Sequence, residues 1–354
     1  MIKQPLKSEA VNLLKALIAT ASFSKQEDGT ANLLADFISR KNLPVKRKGN
    51  NVWATSRFWH PNRPTLLLNS HHDTVQPVGG WLRNPFEPTI ENGKLYGLGS
   101  NDAGASLVSL LAVFLHFCKA KNLPFNMIFL ASAEEEISGN DGVSSVLPEM
   151  GHIDFGIVGE PTQMRMGIAE KGLLVIDAVA TGKAGHAARE EGTNAIYIAL
   201  KDIDLLQNFH FAETSTLLGP VKVSVTQIEA GKQHNVVPDQ CRFVIDVRTN
   251  ECYSNREVFD VLQARTTAKL TARSFRLNSS SIPLDHPLVQ SGKSLGLSHF
   301  GSPTLSDQAL MSFPTLKIGP GDSARSHTAD EFIYLNEIAD GIEIYARILD
   351  LLIC

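Results

Sequence analysis

Five side chains in this sequence have the chemistry to hold two divalent metal ions, and three of them follow apolar stretches. Leu66-Leu67-Leu68-Asn69-Ser70 leads into His71-His72-Asp73. Met127-Ile128-Phe129-Leu130-Ala131 leads towards Glu134-Glu135-Glu136, and Phe155-Gly156-Ile157-Val158 into Gly159-Glu160-Pro161. Asp102 comes between the first two, and His327 lies near the C-terminus. Imidazole and carboxylate suit zinc and other divalent cations. A hydrolase that attacks an unactivated amide must make a nucleophile of water at neutral pH. A bound divalent metal does this by lowering the pKa of water from about 15.7 towards 7. Two such metals need a carboxylate between them and terminal ligands on either side. The candidates divide accordingly, with Asp102 as the bridge and His71, Glu136, Glu160 and His327 as terminal ligands. Glu135 is the candidate general base, taking a proton from water and handing it to the leaving amine. Asp73, two residues after His71, is expected to hold the second nitrogen of that imidazole, because metal-bound histidines usually donate to a carboxylate. Three consecutive acids leave base and ligand open by one position, with Glu134 and Glu135 as the alternative pair.

In open α/β sheets, ligands bind outside the carboxyl ends of the strands, so strands must deliver these residues. Residues 52–55, 65–70, 125–131 and 153–158 read as strands and 105–118 as a helix, an alternation that predicts a mostly parallel sheet with helices on both faces. Ser24-Lys25-Gln26-Glu27 has capping-box spacing ahead of an amphipathic run through Leu33, Leu34, Phe37 and Ile38. From Gly172 the pattern changes to strands at 173–180, 221–228, 242–247 and 274–277, with helices at 194–206 and 255–270. That βαββαβ order is the ferredoxin-like arrangement. Leu316-Lys317-Ile318, followed by the turn Gly319-Pro320-Gly321 and His327, returns the chain to the first pattern. The expected domains are a catalytic one, residues 1–171 and 284–354, and an inserted one, residues 172–283.

The net charge of −4 and pI near 6.3 offer no basic field, which sets nucleic acid aside as a partner. Cys118, Cys241, Cys252 and Cys354 form no C-x-x-C pair, so free thiols in a reducing compartment are expected, and metal ligands must come from His and acids. Glu9 and Lys15 interrupt the apolar residues near the N-terminus, which rules against an export signal there. No stretch is expected to match the ~20 apolar residues of a membrane span. The expected location is the cytoplasm, with no membrane partner.

His71-His72-Asp73-Thr74-Val75 resembles the H-x-D-x-V signature of the M20 family of metallopeptidases and deacylases. Gly99-Ser100-Asn101-Asp102, Glu135-Glu136, Val158-Gly159-Glu160-Pro161 and Ser326-His327-Thr328 follow in that family's order. So do Gly182-Lys183-Ala184-Gly185-His186 and His234-Asn235-Val236-Val237-Pro238. The resemblance covers nearly the whole chain and is greatest to the acetylornithine deacetylase and succinyl-diaminopimelate desuccinylase branch. It implies a zinc-exopeptidase-like catalytic domain and a ferredoxin-like dimerisation domain. It also implies two divalent ions per subunit, zinc first, with cobalt or manganese able to serve, and a cis peptide at Asp102-Ala103. The ligand and base roles it implies are those given above, with Glu134 standing where relatives commonly carry Asp. It further implies that His186 reaches across a dimer interface to the partner's oxyanion, and that Asn235 and Arg248 contact substrate. The chain departs from the pattern at His72 and Gln76, and at Ala103-Gly104-Ala105, where relatives usually read Met-Lys-Gly. His72 should point away from the metals, as the immediate neighbour of His71 on an extended backbone.

The expected reaction is hydrolysis of the amide bond of a small N-acyl amino acid, N-acetylornithine or an acylated citrulline of arginine biosynthesis, by a homodimer. The alternative is a di- or tripeptidase or a carboxypeptidase with the same two metals. Acetyl against succinyl, and ornithine against citrulline, lysine or diaminopimelate, stay open.

Overall fold

Apolar runs bounded by short polar segments form the central strands of the computed structural model, which describes residues 4–353. Thr65–His71 has Asn126–Ser132 parallel on one side and Phe155–Val158 parallel on the other, and Thr315–Lys317 continues parallel beyond Phe155–Val158. Asn51–Thr55 and then Val45–Lys48 extend the sheet antiparallel past Asn126–Ser132, and Met166–Glu170 adjoins Thr315–Lys317. Every residue of Thr65–His71 and Asn126–Ser132 is buried, as a parallel sheet covered on both faces requires. Leu66, Leu68, Met127 and Phe129 pack in one layer with helices Gln4–Ile18, Ala105–Phe117 and Leu335–Ile353. Leu67, Ile128 and Leu130 pack in the opposite layer with Trp53, Val143 and Val146. Lys46, Arg47 and Lys48 charge the outer strand and blunt its open edge.

Ser100–Phe117 is long and apolar enough to cross a membrane by composition, which the sequence expectation had not allowed for. Of its residues 83% are buried, and a helix apolar all round is what a core position demands. Cys118, Cys241 and Cys252 are free thiols, while Cys354 lies outside the described residues.

The chain divides into two units, Met1–Ile168 with Ile282–Phe300 and Ser306–Cys354, and Ala169–Ser281 with Gly301–Leu305. The second unit has a four-stranded antiparallel sheet in the order Lys222–Ala230, Gln240–Thr249, Gly172–Thr181, Lys269–Ala272. Gly172–Thr181 alternates buried and half-buried positions, so one face is apolar. Leu174, Ile176 and Ala178 share a core with Ala195 and Ala199 of helix Ala195–Asn208 and with Val258 and Leu262 of helix Asn255–Arg265. This is the ferredoxin-like order. The second helix stops at Arg265 rather than reaching Leu270, and the last strand is Lys269–Ala272 rather than 274–277. The buried Asp202 carboxylate accepts the N–H groups of Thr267 and Ala268 at 2.9 and 2.7 Å, which takes them away from the helix.

Candidate active site

The strand register sets the site. His71 lies level with Ser132 and Asn69 level with Val158, so the segments leaving these three strands emerge together. Beyond Ser132 the backbone turns sharply at Glu134, whose φ is 56°. That turn aims the N–H groups of Glu135 and Glu136 at the two carboxylate oxygens of Asp73, at 3.0 and 3.1 Å. Ser24 donates to Asp73 Oδ2 at 2.7 Å, so it is not the helix cap its spacing suggested. Glu27 is likewise diverted, accepting the N–H groups of Lys25 and Glu134 from within the buried interior. Helix Asp28–Ser39 accordingly starts with no side-chain cap.

His71 is buried, and its Nδ1 lies 3.0 Å from the main-chain carbonyl of Asp73 but 3.5 Å from the carboxylate. The Asp73 carbonyl is the nearer partner of that nitrogen, the Asp73 carboxylate stays within ion-pair reach of it, and the same carboxylate also fixes the Glu135-Glu136 backbone. With Nδ1–H donated, Nε2 is the nitrogen free to ligate. It stands 3.3 Å from Asp102 Oδ1, 3.9 Å from Glu135 and 4.0 Å from Glu160. His327 approaches from the opposite side, its Nε2 2.9 Å from Glu136 and 3.7 Å from Asp102 Oδ2. The Asp102–Ala103 peptide is cis. His72 faces elsewhere, with Nδ1 on Thr30 and Nε2 on the Asn50 carbonyl.

Gly159 and Gly319 have no room for a Cβ. The first is hemmed in by Leu110, Ser106 and Ser70, and the second by Ser106 and the main-chain oxygen of Glu160. Gly319-Pro320-Gly321 is therefore a packing point beneath Glu160 as well as a turn.

The electrostatics call for a cation. Burial pushes the Glu160 carboxyl up to about 8, with Asp102 and Asp307 adding to it against His71 and Lys317. Burial also raises Glu135 well above its ordinary value, opposed by His71 and reinforced by Glu160, Asp307 and Glu136. Hydrogen bonding to Glu136 lifts the His327 imidazole to about 9 against burial. Burial works against charge on His71, yet Glu135, Asp102, Asp73 and Glu160 raise it well above its usual value. Protons here compensate crowded carboxylates, the task a divalent ion performs with the same donors. Ligand atoms of His71, Asp102 and Glu136 lie within 4.8 Å of one another, and Glu160 and His327 stand just outside that group, 4.0 Å from His71 and 2.9 Å from Glu136 respectively. Glu134 is outside that group, its carboxylate pressed against Gly139.

Of the residues that the resemblance singled out for substrate, His186, Asn235 and Arg248 lie in the second unit. His186 is exposed, in register with Val236, and its Nδ1 accepts the Ala188 N–H at 3.1 Å. Asn235 is exposed, its carbonyl accepting the Ala187 N–H. Arg248 is held by both oxygens of Asp246, at 2.8 and 3.1 Å. Sequence reading passed over Asp307, which accepts from Asn69 and Ser132 beneath the site, and Glu331, which accepts three N–H groups around Asp102. No spacing marks either one.

Residues 67–351 match the model of peptidase family M20/M25/M40. The chain belongs to that family. It is an M20 hydrolase of the metal-dependent amidohydrolase kind. It is 27% identical over 283 residues to succinyl-diaminopimelate desuccinylase 2 of Ruegeria sp. (strain TM1040), covering 73% of this chain and 70% of the relative. To the acetylornithine deacetylase of Proteus mirabilis (strain HI4320) it is 27% identical over 376 residues, covering 96% of each. Among solved structures, the YXEP protein of Bacillus subtilis, described as a dinuclear metal binding peptidase from the M20 family, superposes with a TM-score of 0.73 at 18% identity, over 99% of both chains.

Proposed function

We propose that this M20 hydrolase cleaves the amide bond of an N-acyl amino acid and frees the α-amine. N-acetylornithine and acylated citrulline are the first substrates to test, and arginine biosynthesis is the setting. The observation that carries the reading is Asp102, whose two carboxylate oxygens face different imidazoles, as a carboxylate shared by two cations must. In this reading His71 and Glu160 would hold one ion and Glu136 and His327 the other, with Asp102 available to both. Two zinc ions, or cobalt or manganese in their place, would supply an activated water and polarise the substrate carbonyl.

The chain's own groups supply the rest. Glu135 accepts the proton of the attacking water, then returns it to the leaving amine. Asp73 aims Glu135 and Glu136 together through their peptide N–H groups. His186 takes the Ala188 N–H on Nδ1, which leaves its proton on Nε2 as a donor for the oxyanion, delivered from the partner copy of a dimer. Asn235 and Arg248 bind the substrate, Arg248 with the Nη1 that Asp246 does not engage. The open edge strand Lys222–Ala230 supports pairing of two second units. The free thiols support a reducing cytoplasm.

The deacetylase and desuccinylase relatives favour a deacylase. The superposition on the Bacillus subtilis peptidase favours the second reading, a di- or tripeptidase or carboxypeptidase with the same site. The test is amine release by zinc- or cobalt-loaded protein. It crosses acetyl and succinyl groups with ornithine, citrulline, lysine and diaminopimelate, beside two plain dipeptides. Preference within the acyl matrix supports the deacylase and names its acyl group. Cleavage of the dipeptides alone overturns it in favour of the peptidase.

A further inference from the structure

Glu331 is 2% exposed, ligates nothing in the reading above, and yet uses both carboxylate oxygens. Oε1 accepts the N–H groups of Asn101 and Asp102 at 2.7 and 3.0 Å, and Oε2 accepts that of Gly99 at 3.1 Å. The Glu331 main-chain carbonyl accepts the Gly97 N–H at 3.0 Å, and the next residue, Phe332, stands in register with Tyr96. Asn101 ties the same two segments together from the other side. Its Oδ1 accepts the Asp322 N–H at 3.0 Å, and its Nδ2 donates to the Asp322 carbonyl at 3.1 Å and to Ser326 Oγ at 3.3 Å. Residues 97–102 end on Asp102, and residues 322–331 carry His327. A polar seam thus joins the two segments that bring these side chains to within 3.7 Å of each other.

A carboxylate is costly to bury, and a neutral cap could serve a helix start equally well. Glu331 instead gathers the N–H groups of Gly99, Asn101 and Asp102, and it does so from the loop that holds His327. We infer that Glu331 is a positioning residue that keeps Asp102 and His327 in one frame. The ion on the His327–Glu136 side is then held tightly only while the seam is intact. This rests on the two-ion reading of the site.

The test is zinc binding by calorimetry with metal content by mass spectrometry, and the visible spectrum of the cobalt-loaded protein. Wild type is compared with Glu331→Gln, which opposes an amide N–H₂ to a peptide N–H, and with Asn101→Ala, which opens the seam without touching a charge. Both variants should bind the ion beside His327 and Glu136 about 10–100-fold more weakly, as loss of an outer partner typically costs, and the ion beside His71 and Glu160, which depends on the seam only through Asp102, should be weakened less. The cobalt spectrum should change at saturation, and kcat should fall with KM little moved. Two ions at wild-type affinity and an unaltered cobalt spectrum, whatever the melting temperature, would reduce the seam to plain structure and overturn the inference alone. Wild type that fails to take up two ions overturns the two-ion reading, and this inference with it. If Glu331→Gln does not fold, Asn101→Ala decides by the same readouts.

Discussion

His71 and His327 flank one carboxylate but reach it by different physical routes. His71 is the last residue of a fully buried strand, its side chain is 1% exposed, and its Nδ1 is tied to a carbonyl two residues on. His327 sits in a loop with φ 58°, and its side chain is 52% exposed. Its loop is braced by Glu331, by Asn101 and by the two-pronged pair Arg325–Glu337. A ligand at a strand end inherits its rigidity from the sheet. A ligand on a loop must be given rigidity by side chains brought from elsewhere, and this makes the His327 side the more easily disturbed of the two.

The largest effect should leave both sides intact. Glu135→Gln should keep both ions yet lose about 10²–10⁴-fold in turnover, the usual worth of a general base. Turnover within a few-fold of wild type would show that the base lies elsewhere. Next in size comes the contrast itself. His327→Ala should lose the ion on its side and cost the metal-free protein only its exposed pairing with Glu136, a small drop in melting temperature. His71→Ala, which empties a buried site among carboxylates, should lower that temperature as well as weaken metal binding. Equal effects on metal-free stability would break the comparison.

A smaller effect is expected from pH. Pairing with Glu136 raises His327 from 6.5 to about 9, so its contribution to the stability of the metal-free protein is full below pH 6.5 and is lost as pH rises through about 9. An ion must displace that proton, so metal affinity should climb over the same interval with release of protons. Calorimetry in buffers of different ionisation heat measures that release, and binding without it would contradict the pairing. The smallest effect belongs to the strand-end side. Ser24→Ala removes one hydrogen bond to the Asp73 carboxylate and should cost about 1.5–3 kcal/mol in denaturant unfolding. Two peptide N–H groups still hold Asp73, so turnover should stay within a few-fold.

The same contrast separates what was legible in the sequence from what was not. Uninterrupted apolar runs marked the parallel strands at Leu66, Met127 and Ile157, and the polar residues after them pointed to the strand ends. The apolar run at 173–180 likewise marked a strand, but the alternating burial of Leu174, Ile176 and Ala178 shows only in the structure. Ser24-Lys25-Gln26-Glu27 misled, because a tertiary partner, the Asp73 carboxylate, outcompeted the local cap for the Ser24 hydroxyl. The early stop of helix Asn255–Arg265 depends on Asp202, far away in sequence. Glu331 and Asn101 act through partners some 220–230 residues away, and no local periodicity carries such information.

The most direct measurement is anomalous diffraction at the zinc edge from crystals of the zinc-loaded protein. Two peaks are predicted on either side of the Asp102 carboxylate, one beside His71 and Glu160 and the other beside Glu136 and His327. A single peak, or a pair that leaves Asp102 without contact to one of the ions, would contradict the shared-carboxylate site.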